Sequence, residues 1–161
     1  MKKIIESASA IKRSIPVNKT FTLVGGCFDL LHVGHLHLFD YASTLEDLLV
    51  VAVLSDENVR GYKQSGRPII NQLQRAKMIA SIGVVDFAYI SNVNPNGPET
   101  LELLKPNSVV FGEDISAEKV ERWSVNLAIY SPHTKIRFLP RYCEEEISTS
   151  HIIQRIRHIG V

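Results

Sequence analysis

The sequence has two cysteines, one tryptophan and almost no net charge. Cys27 and Cys143 are too few for a disulfide framework, and both read as reduced thiols of a cytosolic protein. Lys and Arg number 18 against 17 Asp and Glu, a formal charge of +1. A chain that lives on nucleic acid carries a strong basic excess, so no nucleic-acid partner is expected. The longest apolar run, Leu48 to Leu54, spans seven residues. A membrane helix needs about 20, so none is expected. The first residues are broken by Glu6, Lys12 and Arg13, with no apolar stretch of the kind a signal peptide needs. A soluble, cytoplasmic protein is the expectation. No Gly-x-Gly-x-x-Gly turn and no Gly-Lys-Ser/Thr P-loop is present, which removes the main sequence support for hydride transfer.

What is there suits one ordinary domain over residues 1–161, with 45% hydrophobic and 22% charged residues. Such a length buries roughly 70% of the unfolded surface and needs no metal or disulfide staple. Apolar residues at 4, 5, 8, 11 and 15 predict a helical extension over residues 1–17. Strands are predicted at 20–24, 48–54, 84–90, 108–111 and 134–139. Leu48–Leu54 is apolar at every position, the mark of a parallel strand covered on both faces. Helices are predicted at 36–45, 72–82, 99–104, 117–130 and 149–159. Alternating strands and helices predict an α/β fold, doubly wound, with about five parallel strands and helices on both faces.

Ligands of such sheets bind beyond the carboxyl ends of the strands, at the switch point. The first strand-to-helix turn reads Gly25-Gly-Cys-Phe-Asp-Leu-Leu-His-Val-Gly-His35. Glycines let a ligand approach the backbone, and the following helix start offers free N–H groups to an anion. His32 and His35 lie three apart on one side, where imidazoles can donate to charge growing in a transition state. With His37 nearby, a partial metal site is a second reading. Asp29 is the sole carboxylate close by and no cysteine pair has zinc spacing, so no metal ligand is assigned.

Gly26-Cys-Phe-Asp-Leu-Leu-His-Val-Gly-His35 resembles the HxGH nucleotidyltransferase superfamily, which includes cytidylyltransferases and the adenylyltransferase domain of ADP-heptose synthase. The resemblance runs over residues 18–158. It continues through Leu54-Ser-Asp-Glu57, Lys63-Gln-Ser-Gly-Arg-Pro-Ile69, Gln72-Leu-Gln-Arg75, Val110-Phe-Gly-Glu-Asp114 and Ile147-Ser-Thr149. It implies a Rossmann-like sheet and a reaction in which a nucleoside triphosphate and a phosphorylated small molecule, a sugar or polyol phosphate, give an activated product and pyrophosphate. Mg2+ would be carried by the triphosphate. Members commonly dimerise, which makes a homodimer the arrangement to test.

The resemblance implies roles residue by residue. His32, His35 and Lys63 are the catalytic candidates; a solvated lysine is the alternative for Lys63. Gly26, Cys27, Phe28, Asp29, Arg75, Gly112, Asp114, Ser148 and Thr149 are the nucleotide-binding candidates. Asp29 could instead cap the next helix, Arg75 could sit at the surface, and Ser148 and Thr149 can cap the last helix as well. Asp56 and Arg67 are the substrate-binding candidates. Two departures stand out. Pro140-Arg-Tyr-Cys-Glu-Glu-Glu146 replaces an Arg-Thr-x-Gly run, which shifts Arg141 and places Glu144, Glu145 and Glu146 beside a phosphate site. Ile115 stands where an aromatic is usual. The 63–69 loop favours ATP and an enzyme of the ADP-heptose synthase type, while Leu139-Pro-Arg141 leans towards a glycerol-3-phosphate cytidylyltransferase. A non-catalytic nucleotide-binding module and a histidine metal-binding protein are the readings from other classes.

Overall fold

The computed structural model describes residues 4–5, 7–63, 65–112, 115–139 and 147–159. Six strands form one sheet: β1 (Ile4–Ile5), β2 (Phe21–Gly26), β3 (Leu48–Leu54), β4 (Phe87–Ser91), β5 (Ser108–Gly112) and β6 (Lys135–Leu139). Their order is β1-β4-β3-β2-β5-β6, and every pairing is parallel. The chain leaves β2 towards β3 on one side and reaches β5 on the other, so the switch point lies between β2 and β5.

Among the described residues six helices connect the strands, α1 (Ala8–Ser14), α2 (Val33–Ser43), α3 (Asp56–Arg60), α4 (Gln72–Ser81), α5 (Pro98–Leu104) and α6 (Ala117–Tyr130), and α7 (Thr149–His158) follows β6. The pleat of β3 explains why both faces are covered. Leu49, Val51 and Val53 point to one face, where they meet Phe39 and Ala42 of α2 and Ala76 and Ile79 of α4. Val50 and Ala52 point to the other, against Ile11 of α1, Leu101 and Leu104 of α5, and Leu127 of α6. All five β3 residues are fully buried, as an unbroken apolar strand requires. No helix of the described residues is long and apolar enough to cross a membrane.

The start of the chain departs from expectation. Ile4 and Ile5 are a strand rather than helix, paired with Ala88 and Tyr89 of β4. Two β-branched side chains gain a sheet edge there, and Ser7 then caps α1 by accepting from the Ala10 N–H at 3.2 Å. The sheet therefore has six strands, not five. β4 also begins three residues later than the apolar run suggests. Asp86 fixes that start: its carboxylate accepts from the Leu49 N–H at 2.9 Å, and its own N–H donates to the Leu49 carbonyl at 3.0 Å.

Candidate active site

The turn after β2 is built from close contacts. A methyl group at Gly25 would lie 2.5 Å from Cβ of Pro95, and one at Gly26 would lie 2.8 Å from the Phe28 ring. Neither position admits a side chain without displacing packed atoms. Phe28 (φ 54°) and Leu30 (φ 51°) both adopt the left-handed region. For bulky residues that costs ~1–3 kcal/mol each, the kind of strain that gathers at functional turns. Packing offsets it: the buried Phe28 ring meets His35 edge-on at 5.5 Å and Phe39 at 5.2 Å.

The two histidines meet at the start of α2. His32 is the N-cap in extended conformation, and His35 lies in the first turn. Their rings stack with centroids 3.9 Å apart and planes 29° apart. The His32 N–H donates to Nδ1 of His35 at 3.4 Å. With Nδ1 accepting, a neutral His35 ring carries its proton on Nε2. Burial, then the neighbouring His32, pushes the His35 pKa down to about 4. Burial also lowers that of His32, whose Nδ1 is enclosed and finds no partner among the described residues. The pair is neutral at neutral pH. Gly34 completes the motif: a methyl group there would press on the His32 ring at 3.1 Å. The glycine between the histidines is thus explained by ring clearance.

Four residues expected to meet ligand bind one another in pairs, Arg67 with Asp29 and Arg75 with Asp56. Asp29 has a fully buried side chain. Its carboxylate accepts from Arg67 Nε at 2.7 Å and from the Ile69 and Ile70 N–H groups at 3.0 and 2.9 Å. Burial alone would raise its pKa, but the backbone hydrogen bonds and Arg67 outweigh it and hold the carboxyl below its ordinary value. Asp29 caps no helix; it clamps the 67–70 loop, and Arg67 spends its Nε on that clamp. Arg75 is not at the surface. Its side chain is 0% exposed. Nε donates to the Ile70 carbonyl at 2.8 Å, Nη1 to the Cys27 carbonyl at 2.5 Å and Nη2 to Asp56 at 2.6 Å. A single guanidinium joins the turn after β2, the 67–70 loop and the start of α3, because its rigid fork suits three acceptors in fixed directions. Asp56 keeps partial exposure, with 21% of its side chain accessible.

The far end of the chain arrives at the same turn. Ser148 caps α7 by accepting from the His151 N–H at 3.1 Å. Thr149 Oγ1 donates to the Asp29 carbonyl at 2.6 Å across 120 residues. Ile147 lies 3.8 Å from the Cβ position of Gly34. The starts of α2 and α7 therefore converge. Gly112 ends β5 on the same edge of the sheet. Lys63 is exposed in the α3–α4 connection, with Nζ 5.6 Å from the centroid of the Tyr62 ring. Burial raises the Cys27 thiol pKa, so it is not an activated nucleophile. Asp114, Arg141 and Glu144–Glu146 lie outside the described residues.

The sequence reading missed three features. Tyr62 is 54% exposed, yet desolvation of its partly covered hydroxyl and then proximity to Cys27 push its pKa up to about 12, with Arg75 and Arg67 opposing. No pattern marked it. The short helix α3 was hidden in what looked like a strand end. Its signal was Ser55 followed by Asp56 and Glu57, a cap and an acidic first turn. Beside α3 a cleft of about 400 Å³ opens at the ends of β3 and β4, lined in part by Asp56, Glu57, Arg60, Gln72, Leu73 and Asn92. Among the described residues no group of three or more His, Cys, Asp or Glu side chains is placed to hold a metal ion.

Comparison with known proteins follows the same outline. The profile of a family described as Cytidylyltransferase-like matches residues 23–155. The Bifunctional protein HldE of Desulfatibacillum aliphaticivorans is 34% identical over 158 residues, which is 98% of this chain and 31% of that protein. The chain thus spans about a third of the bifunctional relatives it matches. An FAD synthase of Thermococcus onnurineus is 37% identical over 140 residues, covering 86% of this chain and 91% of that one. Among solved structures, a lipopolysaccharide core biosynthesis protein from Thermoplasma volcanium superposes with a TM-score of 0.67 at 27% identity, over 78% of this chain and 99% of the other. A pantoate-beta-alanine ligase from Francisella tularensis, at 16% identity and TM-score 0.65 over 100% of this chain and 79% of that one, shares the fold.

Proposed function

This chain belongs to the cytidylyltransferase-like family of nucleotidyltransferases, and from that premise we propose that it joins a nucleoside triphosphate, ATP ahead of CTP, to the phosphate of a sugar or polyol. An oxygen of the acceptor phosphate attacks the α-phosphorus. The bond from that phosphorus to the β-bridging oxygen breaks, and its electron pair leaves on pyrophosphate. No covalent enzyme intermediate is needed, so the protein contributes position and charge stabilisation.

The observation that carries this reading is the neutral, stacked histidine pair at a helix start. Two cations 3.9 Å apart would repel, whereas two neutral rings stack. The tautomer of His35 leaves Nε2–H as its free donor. A donor fixed in place before the reaction needs no reorganisation when negative charge grows on the phosphoryl oxygens. The second helix start, held by Thr149 on Asp29, adds N–H groups and a positive dipole end. In this reading Cys27 and Phe28 present backbone N–H groups, and Gly112 borders the nucleoside. Lys63, on its exposed loop, reaches the triphosphate. Asp29, Arg67 and Arg75 act as positioning residues. The triphosphate brings its own magnesium, which usually keeps several waters.

Preference for ATP is supported by the Lys63–Ile69 loop and by the FAD synthase relative, whose product contains an adenylyl group. The test is a pyrophosphate-release screen of four nucleoside triphosphates against a panel of phosphomonoesters at millimolar magnesium. ATP with a sugar or polyol phosphate is the expected pair. His32→Ala and His35→Ala should each lower turnover at least ~100-fold, about 2.7 kcal/mol of barrier. Near-normal turnover in both variants refutes the mechanism.

A further inference from the structure

We propose that the cleft at the carboxyl ends of β3 and β4 reads the hydroxyl groups of the acceptor, with Glu57, Arg60 and Asn92 as specificity residues. The proposal rests on the nucleotidyltransferase reading above and names the side of the site that the acceptor occupies.

Register gives the location. Gly26 of β2 is level with Val53 of β3, which is level with Ile90 of β4. The residues just beyond Val53 and Ile90 therefore rise beside the Cys27–Asp29 turn, about 5 and 10 Å away at one and two strand spacings. Asp56 on the cleft wall shares Arg75 with the Cys27 carbonyl. The cleft wall and the turn are thus held to one buried cation. On the other side of the turn stand Gly112 and the start of α7, which our reading gives to the nucleotide. The acceptor takes the side that remains.

The lining gives the chemistry. Asp56 and Glu57 supply carboxylate acceptors, while Arg60, Gln72 and Asn92 supply donors. Gln72 Oε1 already accepts from the Asp56 N–H at 2.7 Å, which leaves its NH2 group as a donor. Glu57 and Arg60 are exposed and form no ion pair with a described residue. Leu73 is the one apolar side chain of the lining, and no aromatic ring belongs to it. Acceptors and donors together match a polyhydroxylated ligand, whose hydroxyls both donate and accept. A flavin ring system would need an apolar or stacking wall, which this lining lacks. Two carboxylates also disfavour the acceptor's own phosphate in the cleft. The phosphate is left to the turn and the hydroxyls to the cleft, which fixes the direction of binding.

The test uses Glu57→Gln and Asn92→Leu, both at exposed positions, with unchanged melting temperature as the control for folding. Heptose 1-phosphate, glycerol 3-phosphate and FMN are offered with ATP, and KM is measured for each partner. Calorimetry measures direct binding of heptose 1-phosphate and glycerol 3-phosphate to the same proteins. The proposal expects at least a tenfold rise in sugar-phosphate or polyol-phosphate KM in each variant, ATP KM within twofold, and no turnover of FMN. Unchanged acceptor KM in both variants overturns the cleft assignment while leaving nucleotidyl transfer intact. FMN as the preferred acceptor overturns the substrate class. If the wild type releases no pyrophosphate with any pair, the functional reading fails. Calorimetry then decides the cleft alone: tenfold weaker binding in the variants upholds it, and absent or unchanged binding overturns it.

Discussion

His35 should make the protein acid-sensitive in a defined window, and His35→Asn should remove that sensitivity. The ring's pKa is displaced from 6.5 to about 4 by burial and by His32. The folded value lies below the unfolded one, so the unfolded chain takes up the proton first as pH falls. Stability from this group is complete above pH 6.5 and is lost progressively towards pH 4. At ~1.4 kcal/mol per pH unit the full displacement is worth at most ~3.5 kcal/mol. Solvent reaches part of the ring, so the expected loss by pH 5 is about 1–2 kcal/mol. Asparagine at position 35 can still accept from the His32 N–H through its amide oxygen, but it does not titrate. Urea unfolding of both proteins at pH 7.5, 6 and 5 reads the effect. Wild type starts more stable, and its advantage should shrink by about 1–2 kcal/mol between pH 7.5 and 5. A constant advantage, or a proton NMR titration of His35 centred near 6.5, refutes the buried neutral ring. Saturating triphosphate should move that titration upward, because a polyanion beside the ring favours the imidazolium.

Gly34→Ala should lower kcat without a large loss of stability, because the added methyl meets the His32 ring at 3.1 Å rather than the core; steady-state kinetics beside thermal melting check the split. Asp29→Asn should cost roughly 3 kcal/mol by leaving Arg67 without its buried partner, measured by urea denaturation at pH 7.5. An unchanged midpoint would show that the clamp on the 67–70 loop carries no energy. Ser148→Ala with Thr149→Val should weaken nucleoside triphosphate binding more than monophosphate binding, if the start of α7 serves the polyphosphate. If these residues only cap and tie the helix, stability falls by ~1 kcal/mol and the ratio of the two dissociation constants stays the same.

The central sheet was legible because its signal is unambiguous in physical terms. Leu48–Leu54 has no polar residue to face solvent, so it had to be covered twice. α6 was legible over Ala117–Tyr130, because amphipathic periodicity and Pro132 bound it. Ile4–Ile5 was not, since apolar spacing over a few residues suits a helix and a strand equally, and only the free edge of β4 decides between them. Within the site, the meeting of residues 32–35 with 148–149 was legible from motif and topology. The fates of Asp29, Arg67 and Arg75 were not. A charged residue beside a phosphate motif looks the same in sequence whether it points at the ligand or holds the loop that does. Hydrogen-bond geometry shows the second role, and here two backbone carbonyls and the Asp56 carboxylate hold Arg75. Arg60 and Asn92 carried no motif, and Glu57 was marked only as the end of Leu54-Ser-Asp-Glu57, because a cleft is made by the divergence of two strand ends, which no local pattern records.

The tie between Thr149 and Asp29 also sets the order in which the molecule loses competence. α7 has no fully buried residue, so little apolar surface holds it down. Helices of that kind detach in local openings that cost far less than global unfolding. The chain therefore has two thresholds. The sheet and its two apolar layers survive while the last helix lifts, and in the function proposed above it takes with it half of the edge assigned to the triphosphate. Catalytic readiness is governed by the weaker threshold. A protein still folded by every spectroscopic measure can already be off, and a bound triphosphate bridging both helix starts closes the gap between the two.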